Sequence, residues 1–269
     1  MLWEHISPGS LLDLIFLSML SMPETALANT PTDQCIDSRV SPWLSAIAYP
    51  LGSNLLLPSF FGNIEVHGRS NLPTSGPVIL APVHRSRWDA LIVPHVTGPR
   101  ATGRYLRFMV TADEVKGLQG WFIRRLGGFP INPRRPGIAS FRYSMELLRQ
   151  GEMMVIFPEG GIFRDAQVHP LKSGLARLAI QAEQGHPNLG VKIVPIYLCY
   201  SRALPVWGSK VQVSIGAPLS VDRYITGSPK QDARKLTTDL HHHLAQLGEQ
   251  VQPDEEIWKS SHAEEVAQL

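Results

Sequence analysis

The residues best placed for chemistry are a histidine and an aspartate five positions apart, in the run Val78-Ile-Leu-Ala-Pro-Val-His84-Arg-Ser-Arg-Trp-Asp89-Ala-Leu-Ile-Val-Pro94. A carboxylate bonded to one imidazole nitrogen fixes the tautomer and leaves the other nitrogen to take a proton from a hydroxyl. On one continuous helix the two side chains would lie about 140° apart by the 3.6-residue repeat. They meet only if His84 precedes the helix and Asp89 lies in its first turn. The flanking pattern supplies that geometry: Val78 to Val83 is short and rich in branched residues, as a buried strand is, and Ser86 or Asp89 caps a helix running to about Val96. The same spacing also fits a surface histidine in a loop ahead of a helix aspartate, and the residues alone leave both readings standing.

A second strand ends in the same way. Met153 to Phe157 is apolar, and Pro158-Glu159-Gly160-Gly161 delivers a carboxylate on flexible backbone directly after it, although a lone glutamate in such a turn can also be purely structural. Between these two stretches, Arg124, Arg125, Arg134 and Arg135 fall close together with no acid among them. Guanidinium forks match phosphate oxygens, so a phosphate-binding patch is one reading and a solvated basic loop the other.

The elements that must position these groups follow in order. Ile64–Gly68 alternates as a strand, Leu106–Val110 reads as another, and Gly117 opens a short helix, a glycine pair and a strand. Ile138–Gln150 has helical periodicity, Lys172–Glu183 is a helix stopped by Gly185, and Lys192–Cys199 and Val211–Ile215 are strands. Pro229–Gln250 is a helix with mostly polar faces, followed by an acidic tail from Pro253. This order predicts a single α/β domain with a mostly parallel or mixed central sheet flanked by helices, its polar groups on strand-terminal loops. We place the domain core at 62–228 and the C-terminal helix and tail at 229–269.

Ahead of the core lie an extension, 1–41, and an apolar segment, 42–61. The segment Pro42–Phe61 is almost free of charge. Its three prolines predict paired short helices, which either lie in one leaflet of a membrane, pack on the domain, or do both. Leu11–Leu20 followed by Ala26-Leu-Ala28 resembles a secretory signal without its basic flank. The run has about half the ~20 residues of a membrane span, and a start at Met19 or Met22 is a third reading.

The chain has 269 residues and a net charge of +2, with 43% hydrophobic and 18% charged residues. That balance is too mild to indicate nucleic acid, and it suits a membrane surface or an anionic substrate if the arginines cluster. No P-loop or dinucleotide fingerprint occurs, and Ser86 lies in no Gly-x-Ser-x-Gly elbow. Cys35 and Cys199 lack metal-ligand spacing, and His241-His-His243 reads as surface. Neither a metal nor a cofactor is expected.

Four ordered blocks give the sequence a close resemblance to the glycerolipid acyltransferases of the 1-acylglycerol-3-phosphate type. They are His84-Arg-Ser-Arg-Trp-Asp89, Gly120-Trp-Phe-Ile-Arg-Arg125 with Gly128-Phe-Pro130, Phe157-Pro-Glu-Gly160, and Ile193-Val-Pro-Ile196. The resemblance covers about Asn71 to Leu219. It implies that His84, oriented by Asp89, deprotonates the free hydroxyl of a lysophospholipid as that hydroxyl attacks an acyl thioester. The thioester is one of acyl carrier protein or of coenzyme A, the oxyanion is met by backbone N–H groups, and the product is phosphatidic acid. It further implies that Glu159 and Gly160 reach the glycerol end of the acceptor, and that Arg125 contacts its phosphate. The third block departs from the common form, which follows Gly with Thr and Arg: here Gly161 and Ile162 intervene, and Arg164, Lys172 or the patch of Arg124, Arg125 and Arg134 must replace that arginine. The departure leaves glycerol 3-phosphate or another lysolipid as an alternative acceptor. A non-catalytic lipid-binding protein on the same scaffold is the alternative of another class, opposed by His84, Asp89 and Glu159 standing together. Because acyl thioesters are made in the cytosol, the expected location is the cytoplasmic face of a membrane.

Overall fold

A computed structural model describes residues 36, 38–132 and 137–251. The extension before Ile36, with its signal-like stretch and Cys35, lies outside the described residues, as do Arg134, Arg135 and the acidic tail.

The core is one mixed sheet. Its strands are β1 (Asn63–His67), β2 (Val78–Pro82), β3 (Leu106–Thr111), β4 (Gly128–Ile131), β5 (Met153–Val155), β6 (Lys192–Tyr200), β7 (Lys210–Ile215) and β8 (Leu219–Ser220), ordered β1-β7-β6-β2-β5-β3-β4 with β8 also on β6. From β6 through β4 every pairing is parallel, while β7 and β8 run antiparallel to β6. All five residues of β2 are buried, the pattern of a strand covered on both faces.

The helices are α1 (Pro42–Leu51), α2 (Asp89–Thr97), α3 (Gly117–Arg125), α4 (Ile138–Arg149), α5 (Gly174–Gly185) and α6 (Pro229–Gln250). The crossover from β2 through α2 to β3 runs along the sheet in the opposite direction to the one from β5 through α5 to β6. Right-handed crossovers therefore place α2 and α5 on opposite faces. α4, α5 and α6 pack in series on one face, and α2 packs against the α1 segment on the other. α6 is more amphipathic than its composition suggests: Ala233, Leu236, Leu240 and Leu244 form a buried stripe.

Two expectations are corrected. The prolines do not divide Pro42–Phe61 into paired helices. α1 continues through a π-turn, Gly52–Leu56, into Leu57–Phe60 without reversing. The helix runs past Pro50 and widens one turn later: the Leu57 N–H bonds to the Gly52 carbonyl, five residues back. The strand read to Phe157 stops at Val155, because the chain turns away to present Glu159.

Candidate active site

β2, β5 and β6 are parallel, so their C-terminal ends share one edge of the sheet, where open α/β sheets bind ligands. His84 follows β2 there and Glu159 follows β5. β6 overhangs both. Ile196 pairs with Pro82, and the strand continues four residues to Tyr200.

The His84–Asp89 pairing forms. Nδ1 of His84 lies 2.8 Å from Oδ2 of Asp89. An ionised carboxylate can only accept, so Nδ1 carries the hydrogen and Nε2 presents a lone pair. The ring stacks on Phe157, with centroids 4.0 Å apart, and its side chain keeps 20% exposure while that of Asp89 is wholly buried. Asp89 opens α2 and folds its carboxylate back over the loop, where Oδ2 also accepts the N–H groups of Arg85 at 2.7 Å and Ser86 at 2.9 Å. Oδ1 accepts the hydroxyl of Tyr200. Burial, and then the neighbouring Asp89 charge, push the Tyr200 pKa well above its usual 10, so the phenol stays a donor. Nothing in Ile196-Tyr-Leu-Cys-Tyr200 distinguishes this tyrosine from other apolar strand residues.

Glu159 is bonded into this loop. Its side chain is buried, with Oε2 accepting the His84 N–H at 2.9 Å and Oε1 the His169 N–H at 3.0 Å. Nη1 of Arg85 bonds both oxygens, at 2.9 and 3.1 Å. Arg85, a second group that sequence reasoning did not single out, also donates from Nη2 to the Gln167 carbonyl at 2.7 Å. The Arg85–Glu159 pair thus ties the histidine loop to the turn after β5. Gly160 has φ +70, and a Cβ there would meet the Lys172 side chain at 2.5 Å. The left-handed turn calls for glycine, whereas the exposed lysine end can swing aside. Lys172 Nζ lies 3.3 Å from the Gly160 carbonyl, so Gly160 and Lys172 brace the Glu159 turn.

A histidine is thus held by a buried carboxylate on a turn fixed by a buried ion pair. The family model described as Acyltransferase matches residues 63–199. The chain belongs to the acyltransferase family. Among relatives of this acyltransferase-family chain, the 1-acyl-sn-glycerol-3-phosphate acyltransferase of Bacillus subtilis is 26% identical over 197 residues, covering 70% of this chain and 90% of the relative. That of Streptococcus pneumoniae is 25% identical over 177 residues, 62% of this chain and 60% of the relative. The glycerol-3-phosphate acyltransferase of Alteromonas mediterranea is 32% identical over 140 residues, 48% of this chain but 16% of that protein. The match thus spans only part of the length of the last two. The crystal structure of the 1-acyl-sn-glycerophosphate (LPA) acyltransferase from Thermotoga maritima shares the fold, with a TM-score of 0.58 at 20% identity over 77% of this chain and 78% of that one.

Among the described residues, the basic side chains that the sequence singles out stand on two elements. Arg124 is exposed at the end of α3, and Arg125 beside it is half-buried over the Trp121 ring, 5.0 Å from its centroid. The second block's Gly120 is buried in α3, and a Cβ there would meet the Val115 backbone at 2.3 Å. Arg164 is exposed on the loop that Phe163 fastens to the His84 carbonyl at 2.8 Å. Hence Arg124 and Arg125 stand on one element, while Arg164 and Lys172 stand on another. His241 and His243 each face a backbone carbonyl. Cys199, its thiol pushed up to about 11 by burial, is held as a neutral thiol.

Proposed function

We propose that this protein transfers an acyl group from an acyl thioester to the free hydroxyl of lysophosphatidic acid, giving phosphatidic acid. The observation that carries the reading is the open Nε2 of a His84 whose Nδ1–H is given to Asp89. The acceptor hydroxyl attacks the thioester carbonyl carbon and its proton passes to Nε2. The tetrahedral oxyanion collapses, the C–S bond breaks, and the thiolate leaves with the proton from Nε2. Of the backbone N–H groups from His84 to Asp89, all but that of Arg87 have acceptors within the protein. The Arg87 N–H is therefore the loop's candidate oxyanion donor. In this scheme Glu159 positions the loop, and Arg124, Arg125 and Arg164 are the groups that meet the acceptor's phosphate.

The donor thioester is one of acyl carrier protein or coenzyme A. The chain works at the cytoplasmic face of a membrane, where either donor is made. Along the α1 segment Trp43, Ile47, Leu51 and Leu55 are all exposed at four-residue spacing, a continuous apolar stripe. Leu44, Leu57, Phe60 and Phe61 of the same segment are buried in the domain, so one helix supports both packing and surface attachment. No helix among the described residues is long and apolar enough to cross a membrane.

Glycerol 3-phosphate is the second acceptor to consider, favoured by the relatives named for it. The test supplies each acceptor separately with an acyl thioester and resolves the products. Phosphatidic acid from the purified protein, abolished in His84→Ala, is the expected result. Turnover that survives His84→Ala refutes the mechanism.

A further inference from the structure

A loop leaves the sheet at the same edge as His84, and the proposed reaction uses none of its side chains. β6 runs past the pairing of Ile196 with Pro82 to Tyr200, the phenol on Asp89. Ser201-Arg-Ala-Leu-Pro-Val-Trp-Gly-Ser209 then turns the chain back into β7. The loop's backbone is held at both its base and its tip. The Ser201 N–H donates to the Lys210 carbonyl and the Lys210 N–H to Ser201 Oγ, both at 3.0 Å. The Val206 N–H donates to Ser209 Oγ at 2.8 Å, and the Ser209 N–H to the Val206 carbonyl at 3.0 Å. Two more bonds fasten the loop to the α1 segment: the Gly208 N–H reaches the Phe60 carbonyl at 2.7 Å, and the Gly62 N–H reaches the Ser209 carbonyl at 3.0 Å. Phe60 ends that helix, and terminal carbonyls take partners from outside it. The loop is therefore a cap on the C-terminal end of the α1 segment.

This ordered backbone holds apolar side chains in water. Leu204, Val206 and Trp207 are 45%, 43% and 57% exposed, so about half of each is left to cover. Trp207 keeps one inward contact, edge to face on the Phe60 ring with centroids 5.8 Å apart, and Phe60 stacks in turn on Trp88. Three large apolar side chains within four positions form a patch, unlike the single residues scattered over an ordinary surface. Arg202 and Lys210 flank it, both exposed, and no acid occurs from Ser201 to Lys210. Among the described residues neither cation is paired with an acid.

We propose that the loop from Ser201 to Lys210 enters the headgroup region of an anionic bilayer, as a second membrane contact beyond the outward stripe of α1. This rests on the membrane reading given above. The composition of the patch selects the occupant: an indole and two aliphatic side chains suit the boundary between headgroups and acyl chains, and the flanking cations meet anionic headgroups. The position agrees, because the loop caps the helix along which Trp43, Ile47, Leu51 and Leu55 are exposed. A contact here also sets which edge of the sheet faces the lipid, namely the edge that carries His84.

The test measures binding of the full chain to vesicles of phosphatidylcholine and phosphatidylglycerol, with plain or brominated acyl chains. Leu204→Ser combined with Val206→Ser should weaken co-sedimentation about tenfold at an unchanged melting temperature, since half of each side chain is left to bury. Arg202→Gln combined with Lys210→Gln should weaken binding to the mixed vesicles about thirtyfold and leave binding to phosphatidylcholine alone unchanged. Brominated chains should quench the natural protein's tryptophan fluorescence more than that of Trp207→Phe, which keeps a ring on Phe60. The proposal is overturned if both double variants bind as the natural chain does, or if Trp207→Phe is quenched as strongly. It is also overturned if the natural chain is an oligomer without vesicles and Leu204→Ser with Val206→Ser dissociates it while vesicle binding persists, which assigns the patch to a second copy. Changing Trp43, Ile47 and Leu51 to serine separates the two contacts. Loss of binding in that variant with none in the loop variants overturns this proposal and leaves attachment through α1 standing. Loss only in the loop variants supports the proposal and refutes attachment through α1.

Discussion

Replacing Glu159 with glutamine separates two roles for the one acid of the third block. The carboxylate accepts from opposite sides: Oε2 takes the His84 N–H and Oε1 the His169 N–H, while Arg85 spans both. A glutamine has one oxygen and one NH2 group. Whichever way the amide turns, its NH2 faces either the His84 N–H or the His169 N–H, and the buried Arg85 loses its counter-charge. Breaking a buried ion pair on one side costs about 3–5 kcal/mol, which lowers the melting temperature by roughly 6–20 °C for a domain of this size. Denaturant unfolding followed by circular dichroism reads the stability, and steady-state kinetics read the acceptor's KM. Arg85→Met combined with Glu159→Met should be less destabilised than the sum of the two single changes by about 2 kcal/mol or more, because it leaves no unpaired charge. A Glu159→Gln protein that unfolds like the natural chain while its acceptor KM rises would refute the reasoning. That result would mean that the carboxylate meets substrate and not Arg85.

Three further outcomes are expected. Tyr200→Phe strips Asp89 Oδ1 of its donor and should lower the unfolding free energy by about 1.5–3 kcal/mol and cut kcat with little change in KM; unchanged stability and kcat would show that the hydroxyl does not hold the carboxylate. Burial, and then the charges of Arg69 and Arg100, hold the folded pKa of His95 below its unfolded value, so as pH falls below about 6.5 the unfolded chain takes up more protons and stability should drop; urea midpoints at pH 7.5 and 5.0 should show this slope and His95→Gln should flatten it, whereas an equal slope in both refutes it. Changing Trp43, Ile47 and Leu51 together to serine removes side chains worth roughly 1.5–3 kcal/mol each when fully buried; co-sedimentation with lipid vesicles should fall by two orders of magnitude or more with the melting temperature nearly unchanged, and undiminished binding counts against attachment through the stripe.

Much of this site was legible in the sequence because its signals are local. A branched run ending in His84 and a helix beginning at Asp89 fix the geometry of the pair within a dozen residues, and parallel strands put Glu159 on the same edge. What escaped depends on long-range contact. Tyr200 is 111 residues from the carboxylate it serves, and no periodicity announces which strand tyrosine overhangs a neighbouring loop. Arg85 reads as one of several surface arginines until the fold buries it against Glu159. The segment Pro42–Phe61 was misread for a different reason: a proline removes one hydrogen bond from a helix without having to end it, and here the helix runs on through a π-turn.

At the end of the α1 segment Phe60 stacks on Trp88 with centroids 4.2 Å apart, Phe61 meets the same ring edge to face at 5.2 Å, and Phe61 also reaches Tyr200 at 6.1 Å. These rings wall in the residue before Asp89 and the phenol that holds it. The consequence is practical: a chain cut at residue 62 would lose two rings packed against Trp88 and Tyr200, and with them part of what supports the His84–Asp89 loop. Changes meant to alter the outward stripe can be confined to Trp43, Ile47, Leu51 and Leu55, leaving the two phenylalanines in place as part of the folded domain.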